Sequence, residues 1–104
     1  MNNQYIVCAA MFIQSLTDDT QHIICSPRHW DTIARNQLNI IYPDFNPCDF
    51  EITQGFVDQF CNFLSREEAW LIAERNSQIR YRCGGDTYIK NGKSIGKLFS
   101  ENLY

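Results

Sequence analysis

The chain has 104 residues, 44% of them hydrophobic and 13% aromatic, which is enough for one compact domain with a modest core. Nine basic residues against twelve acidic ones give a formal charge of -3, which excludes a protein that tracks a long polyanion along a basic face. A small nucleotide, held by a few placed Arg and His groups, is compatible with that charge, whereas long nucleic acid and membranes are not expected partners.

Tyr5 to Ile13 is apolar and partly β-branched, Ser15 to Thr20 is a polar turn containing Asp18-Asp19, and His22 to Cys25 resumes the apolar pattern. Together they predict a β-hairpin. The strand then runs into Ser26-Pro27-Arg28-His29-Trp30-Asp31. Ser26 is a good N-cap and Pro27 a good first helical residue, so a helix is predicted to open there with Arg28 and His29 in its first turn. Free backbone N–H groups, the positive end of the helix dipole and two cationic side chains would make an anion site. Trp30, Ile33, Ala34 and Leu38 fall at helical spacing and are expected to face the core. Trp30 is thus read as core in preference to a ligand platform.

Asn39 to Pro47 reads as an irregular connection, and Phe50 to Phe63 as a second strand pair around Gln54-Gly55-Phe56 and Asp58, with Gly55 letting another backbone or a ligand come close. Ser65 and Glu68 form a capping box that opens a helix through about Arg75, with Ala69, Ile72 and Ala73 facing inward. Ile79 to Cys83 reads as an extended segment with Arg80 and Arg82 on one side. A turn at Gly84-Gly85-Asp86 and a loop at Asn91-Gly92 follow, and the chain closes on Leu98 to Tyr104. The expected class is α+β, a small antiparallel sheet with two main helices, in one domain over residues 1–104.

Five cysteines at positions 8, 25, 48, 61 and 83 include no C-x-x-C pair, so they read as buried small hydrophobes and not as a disulfide framework or a zinc site. His22 and Cys25 have a metal-like spacing but alternate on a strand with no second ligand pair, so no metal is expected. Met1-Asn2-Asn3-Gln4 lacks a signal-peptide pattern and no apolar run reaches the length of a membrane span, which predicts a soluble intracellular protein. No nucleophile signature of the G-x-S-x-G kind is present, and neither histidine stands two residues before Ser or Thr, as the paired histidines of one phosphoesterase class do. The set is one of binding groups: Arg28 and His29, Arg80 and Arg82, and Phe56 and Tyr104 as faces on which a base stacks. The alternative for Arg80 and Arg82 is a solvated face pairing with Glu67, Glu74 or Asp86, and for Phe56 a place in the core.

The runs Cys25 to Asp31, Gln54 to Asp58, Phe63 to Ala69 and Leu98 to Tyr104 resemble a family of small phage proteins that includes the Thoeris anti-defence sponges. The resemblance covers nearly the whole length. It implies a protein of the infected bacterial cytoplasm that sequesters glycocyclic ADP-ribose, and also cyclic di- and trinucleotides, without cleaving them and without a cofactor. It further implies dimers that assemble into a hexamer. Carried onto this chain, Arg28 and His29 would hold cyclic trinucleotide phosphates, while Gln54, Phe56, Asn62, Arg80 and Arg82 would serve glycocyclic ADP-ribose. The stretch between Leu38 and Phe50 is short for the family, which leaves the ligand range open. A protein-interaction inhibitor of a host defence enzyme and a nucleotide-cleaving enzyme are the alternatives.

Overall fold

The computed structural model describes residues 3–104; Met1 and Asn2, part of the stretch read above for a signal peptide, lie outside the described residues. The element order is β1 (Ile6–Ser15), β2 (Gln21–Ser26), α1 (Thr32–Ile41), a 3-10 turn (Pro47–Asp49), β3 (Phe50–Asp58), β4 (Phe63–Leu64), α2 (Arg66–Arg75), β5 (Thr87–Lys90), β6 (Lys93–Gly96) and α3 (Ser100–Leu103). This is the α+β class. The four longer-range strands form an antiparallel sheet in the order β2-β1-β3-β4, and β5 and β6 form a separate hairpin. No helix among the described residues is long and apolar enough to cross a membrane.

Strand alternation explains where the core lies. Met11 pairs with Ile24, Ile13 with Ile52 and Ala9 with Phe56, so these side chains share one face of the sheet. Both main helices pack there, each over its own part of the sheet. Ala34 and Leu38 of α1 join Met11, Ile13 and Ile24, whereas Ala69, Ile72 and Ala73 of α2 join Ile6, Ala9, Phe56 and Leu64. Gly55 is needed because β3 and β4 close tightly: a Cβ there would collide with the Leu64 carbonyl oxygen and lie 2.6 Å from the Phe63 ring.

The capping box is present as read. Ser65 Oγ accepts from the Glu68 amide at 3.1 Å and the Glu68 carboxylate accepts from the Ser65 amide at 3.0 Å. The Asn91-Gly92 loop is a two-residue hairpin turn, with φ of 52° and 77° as that turn requires.

Three expectations are corrected. The first helix does not open at Pro27. Pairing with β1 carries β2 through Ser26, Trp30 takes φ of 59°, and Asp31 is the N-cap, accepting from Ala34 N at 2.8 Å. The later start turns Ile33 outward, 52% exposed. Residues 78–83 form no strand; Arg80 N and Tyr81 N both donate to Asn102 O, at 2.8 and 3.1 Å. The cysteines are not deep core: Cys48 and Cys61 are exposed and Cys8, Cys25 and Cys83 half-buried.

Candidate functional site

Displacement of the helix start changes what Arg28 and His29 do. They lie in the β2–α1 connection, and the helix terminus is filled by the protein's own anion: Asp31 accepts from Ala34 N and, through Oδ2, from Arg28 N at 3.1 Å. Burial pushes the Asp31 carboxyl up, but these amide donors outweigh it and hold it below the usual carboxylate range. No free helix-dipole site remains there for a ligand.

Arg28 instead reaches α3. Its guanidinium donates to Ser100 Oγ at 3.4 Å and to the Tyr104 carbonyl, pairs with Glu101 at 3.3 Å, and lies 5.4 Å from the centre of the Tyr104 ring. The Tyr104 hydroxyl donates in return to the Pro27 carbonyl. His29 turns inward, Nε2 to the Gly55 carbonyl at 2.8 Å and its ring edge-on to Phe56 at 5.3 Å. A carbonyl can only accept, so Nε2 carries the proton. Burial lowers the His29 pKa, keeping the imidazole neutral at pH 7.

Gln54 and Phe56 stand on the same face of β3. Gln54 Oε1 accepts from Arg66 Nη2 at 2.7 Å, and Arg66 Nη1 donates to Leu98 O at 2.8 Å while its guanidinium covers the Phe99 ring at 4.7 Å. Phe56 is wholly buried, so it offers no open face to a base. Asn62 is clasped in the β3–β4 turn by Asp58, whose two oxygens accept from its amide N–H and side chain, both at 2.9 Å. Arg82 is spent on Asp86 through a fork of 2.8 and 3.0 Å.

Arg80 is different. Among the described residues, neither its guanidinium nor the Ser77 hydroxyl has a hydrogen-bond or ion-pair partner. Both line a cavity of about 330 Å³ whose walls include Val7, Gln78, Leu103 and Tyr104. Gln78 is rigid there because its side chain pairs with Ile6, accepting from N at 2.9 Å and donating to O at 2.8 Å, as a neighbouring strand would. The cavity therefore has a cation, a hydroxyl donor and an aromatic wall on an anchored frame.

The predicted residues thus separate into groups around one short segment. Leu98 to Tyr104 touches Arg28, Arg66 and, through its backbone, the Arg80 segment; Gln54 joins by way of Arg66, and Asn62 stands apart. Sequence reading missed the organiser, Asn102, which is 0% exposed. Its Nδ2 donates to Tyr81 O at 2.8 Å and Asp86 Oδ2 at 3.2 Å, and its Oδ1 accepts from Phe99 N at 2.8 Å. No local pattern marked it, since Asn102 stands beside the polar Ser100 and Glu101 in the same run.

Comparison with known proteins gives one match of nearly full length. Residues 5–104 match the family described as Phage T4 y16D protein. No curated protein and no solved structure matches the chain. Since the match spans the sheet, both main helices and the cavity beside α3, the chain belongs to the Phage T4 y16D protein family, a family of small phage proteins.

Proposed function

We propose that this protein is a phage anti-defence sponge that captures glycocyclic ADP-ribose, and cyclic di- or trinucleotides of the same kind, and holds them without cleavage. The observation that carries the reading is the unengaged Arg80 guanidinium beside Ser77 and the Tyr104 ring in the cavity next to α3. A phosphate takes the guanidinium fork and a base or ribose takes the aromatic wall. Arg28, stacked against the same Tyr104 and paired with Glu101, fixes that aromatic wall from the side of the β2–α1 connection.

Binding without chemistry is supported by the state of the reactive groups. Burial, with Cys25 beside it, pushes the Cys8 thiol up to about 11, so it stays protonated and weakly nucleophilic at neutral pH. The His29 Nε2–H is committed to a carbonyl. A cavity of about 330 Å³ lies at the small end of the range for ligand sites, so a dinucleotide-sized ligand needs further wall. A second copy would supply it, in the dimers and hexamers that the reading entails.

The test incubates protein with glycocyclic ADP-ribose or cyclic tri-adenylate, removes free ligand by filtration, denatures the protein and identifies what is released. Stoichiometric intact ligand is expected, and Arg80→Ala should lose it with an unchanged melting curve. Converted ligand would make the protein an enzyme. No retention of either nucleotide would refute the reading.

A further inference from the structure

A second concavity, about 610 Å³, lies on the other side of α2, between that helix and the β5–β6 hairpin, and none of the residues discussed as nucleotide ligands accounts for it except Arg82 at its rim. Glu67, Trp70, Leu71 and Glu74 follow each other at positions i, i+3, i+4 and i+7, so α2 presents one stripe that is acidic, then apolar, then acidic. Opposite stand Thr87, Ser94 and Gly96, which the β5–β6 register places on one face of the hairpin. Gly96 sets the floor: a Cβ there would collide with the Trp70 indole, so only glycine allows hairpin and helix to meet at this depth.

The apolar surface is open. Leu71 is 66% exposed, and Ile89, on the Thr87 face of the hairpin, is 72% exposed. The charge is one-sided. Among the described residues Glu74 has no hydrogen bond or ion pair but lies in the field of Arg82, and Glu67 accepts from Tyr88 Oη at 3.1 Å and lies in the field of Arg66, whereas the one lining cation, Arg82, is paired with Asp86. Glu67, Glu68 and Glu74 outnumber the single lining cation, so the groove repels a phosphorylated ligand and suits a polypeptide carrying the opposite charge.

We infer that the α2–β5–β6 groove docks a cationic amphipathic segment of a partner protein, with apolar side chains on Leu71, beside the buried Trp70, and Lys or Arg groups against Glu67 and Glu74. From Glu67 to Glu74 the stripe runs about 10 Å, seven steps of about 1.5 Å, which matches about two turns of a helix or a short extended segment. This surface is separate from the Arg80 cavity, so one chain can hold a nucleotide and a protein at once.

The experiment measures fluorescence anisotropy of a labelled leucine–lysine peptide against the full chain, with a leucine–glutamate peptide of equal length as control. Binding of the cationic peptide is expected, weakened about tenfold or more in Glu67→Gln/Glu74→Gln and in Leu71→Ala. Glutamine retains the acceptor for Tyr88 and Leu71 is a surface residue, so both variants should melt as the parent does. Glu51→Gln on β3 removes the same kind of charge elsewhere and should leave binding unchanged, as should Arg80→Ala. Equal binding by all variants, equal binding of the anionic peptide, or a matching loss in Glu51→Gln would overturn the proposal.

Discussion

Replacing Asn102 by leucine tests whether α3 is held by this one amide. Leucine has nearly the same shape, so little cavity or strain is introduced, and the change reads out the hydrogen bonds. Three are lost, to Tyr81 O, Asp86 Oδ2 and from Phe99 N. At about 1 kcal/mol each, more where the abandoned partner stays dry, the loss is about 3 kcal/mol. For a domain of this size each kcal/mol moves the midpoint by about 4–8 °C, so a fall of about 15 °C is expected in thermal denaturation followed by circular dichroism. The four-stranded sheet does not depend on Asn102. Below the new midpoint the variant should keep its far-ultraviolet spectrum and, on the proposed function, retain less nucleotide, because loss of the side-chain bonds to Tyr81 O and Phe99 N loosens the segment whose 102 carbonyl holds Arg80 N and Tyr81 N. A shift under about 3 °C would refute the reasoning.

Two further outcomes follow from the packing and the charge states. Gly55→Ala forces a methyl against the Leu64 carbonyl and the Phe63 ring and should lower stability by about 3 kcal/mol in urea unfolding, while Gly84→Ala, with open space around it, should be nearly neutral. His29 is neutral when folded and its pKa lies below the ordinary 6.5, so the unfolded chain binds its proton first. Stability should therefore fall as pH drops below about 6.5, and His29→Gln should flatten that slope in melting curves across about pH 7 to 5; an unchanged slope would remove His29 as its source.

Much of the architecture could be read from local patterns, and the failures have a common cause. Ser65 with Glu68, Asn91-Gly92 and the β1–β2 hairpin act through residues a few positions apart, and each is present as read. Ser26-Pro27 carried an equally good local signal for a helix start, but pairing with Ala9 kept Ser26 in the strand and left the cap to Asp31. The site was harder because its bonds are distant in sequence. Arg28 meets Ser100 across 72 positions, and Ile6 meets Gln78 across 72. For Arg82 a local signal existed, since Asp86 four positions on clamps it as the pairing alternative expects, but nothing local shows that Arg80 is unengaged.

The latch between the β2–α1 connection and α3 also bears on how the cavity comes into being. Contacts spanning more than seventy residues must overcome chain-closure entropy before they contribute anything, so they form after the hairpins and α2. The cavity wall is then expected to open before the sheet does, which faster hydrogen exchange at Arg80 N and Tyr81 N than along β1 would show. Capture of a ligand there would fasten Arg28 and Tyr104 from outside the chain, and slow hydrogen exchange around α3 would report occupancy without any change in fold.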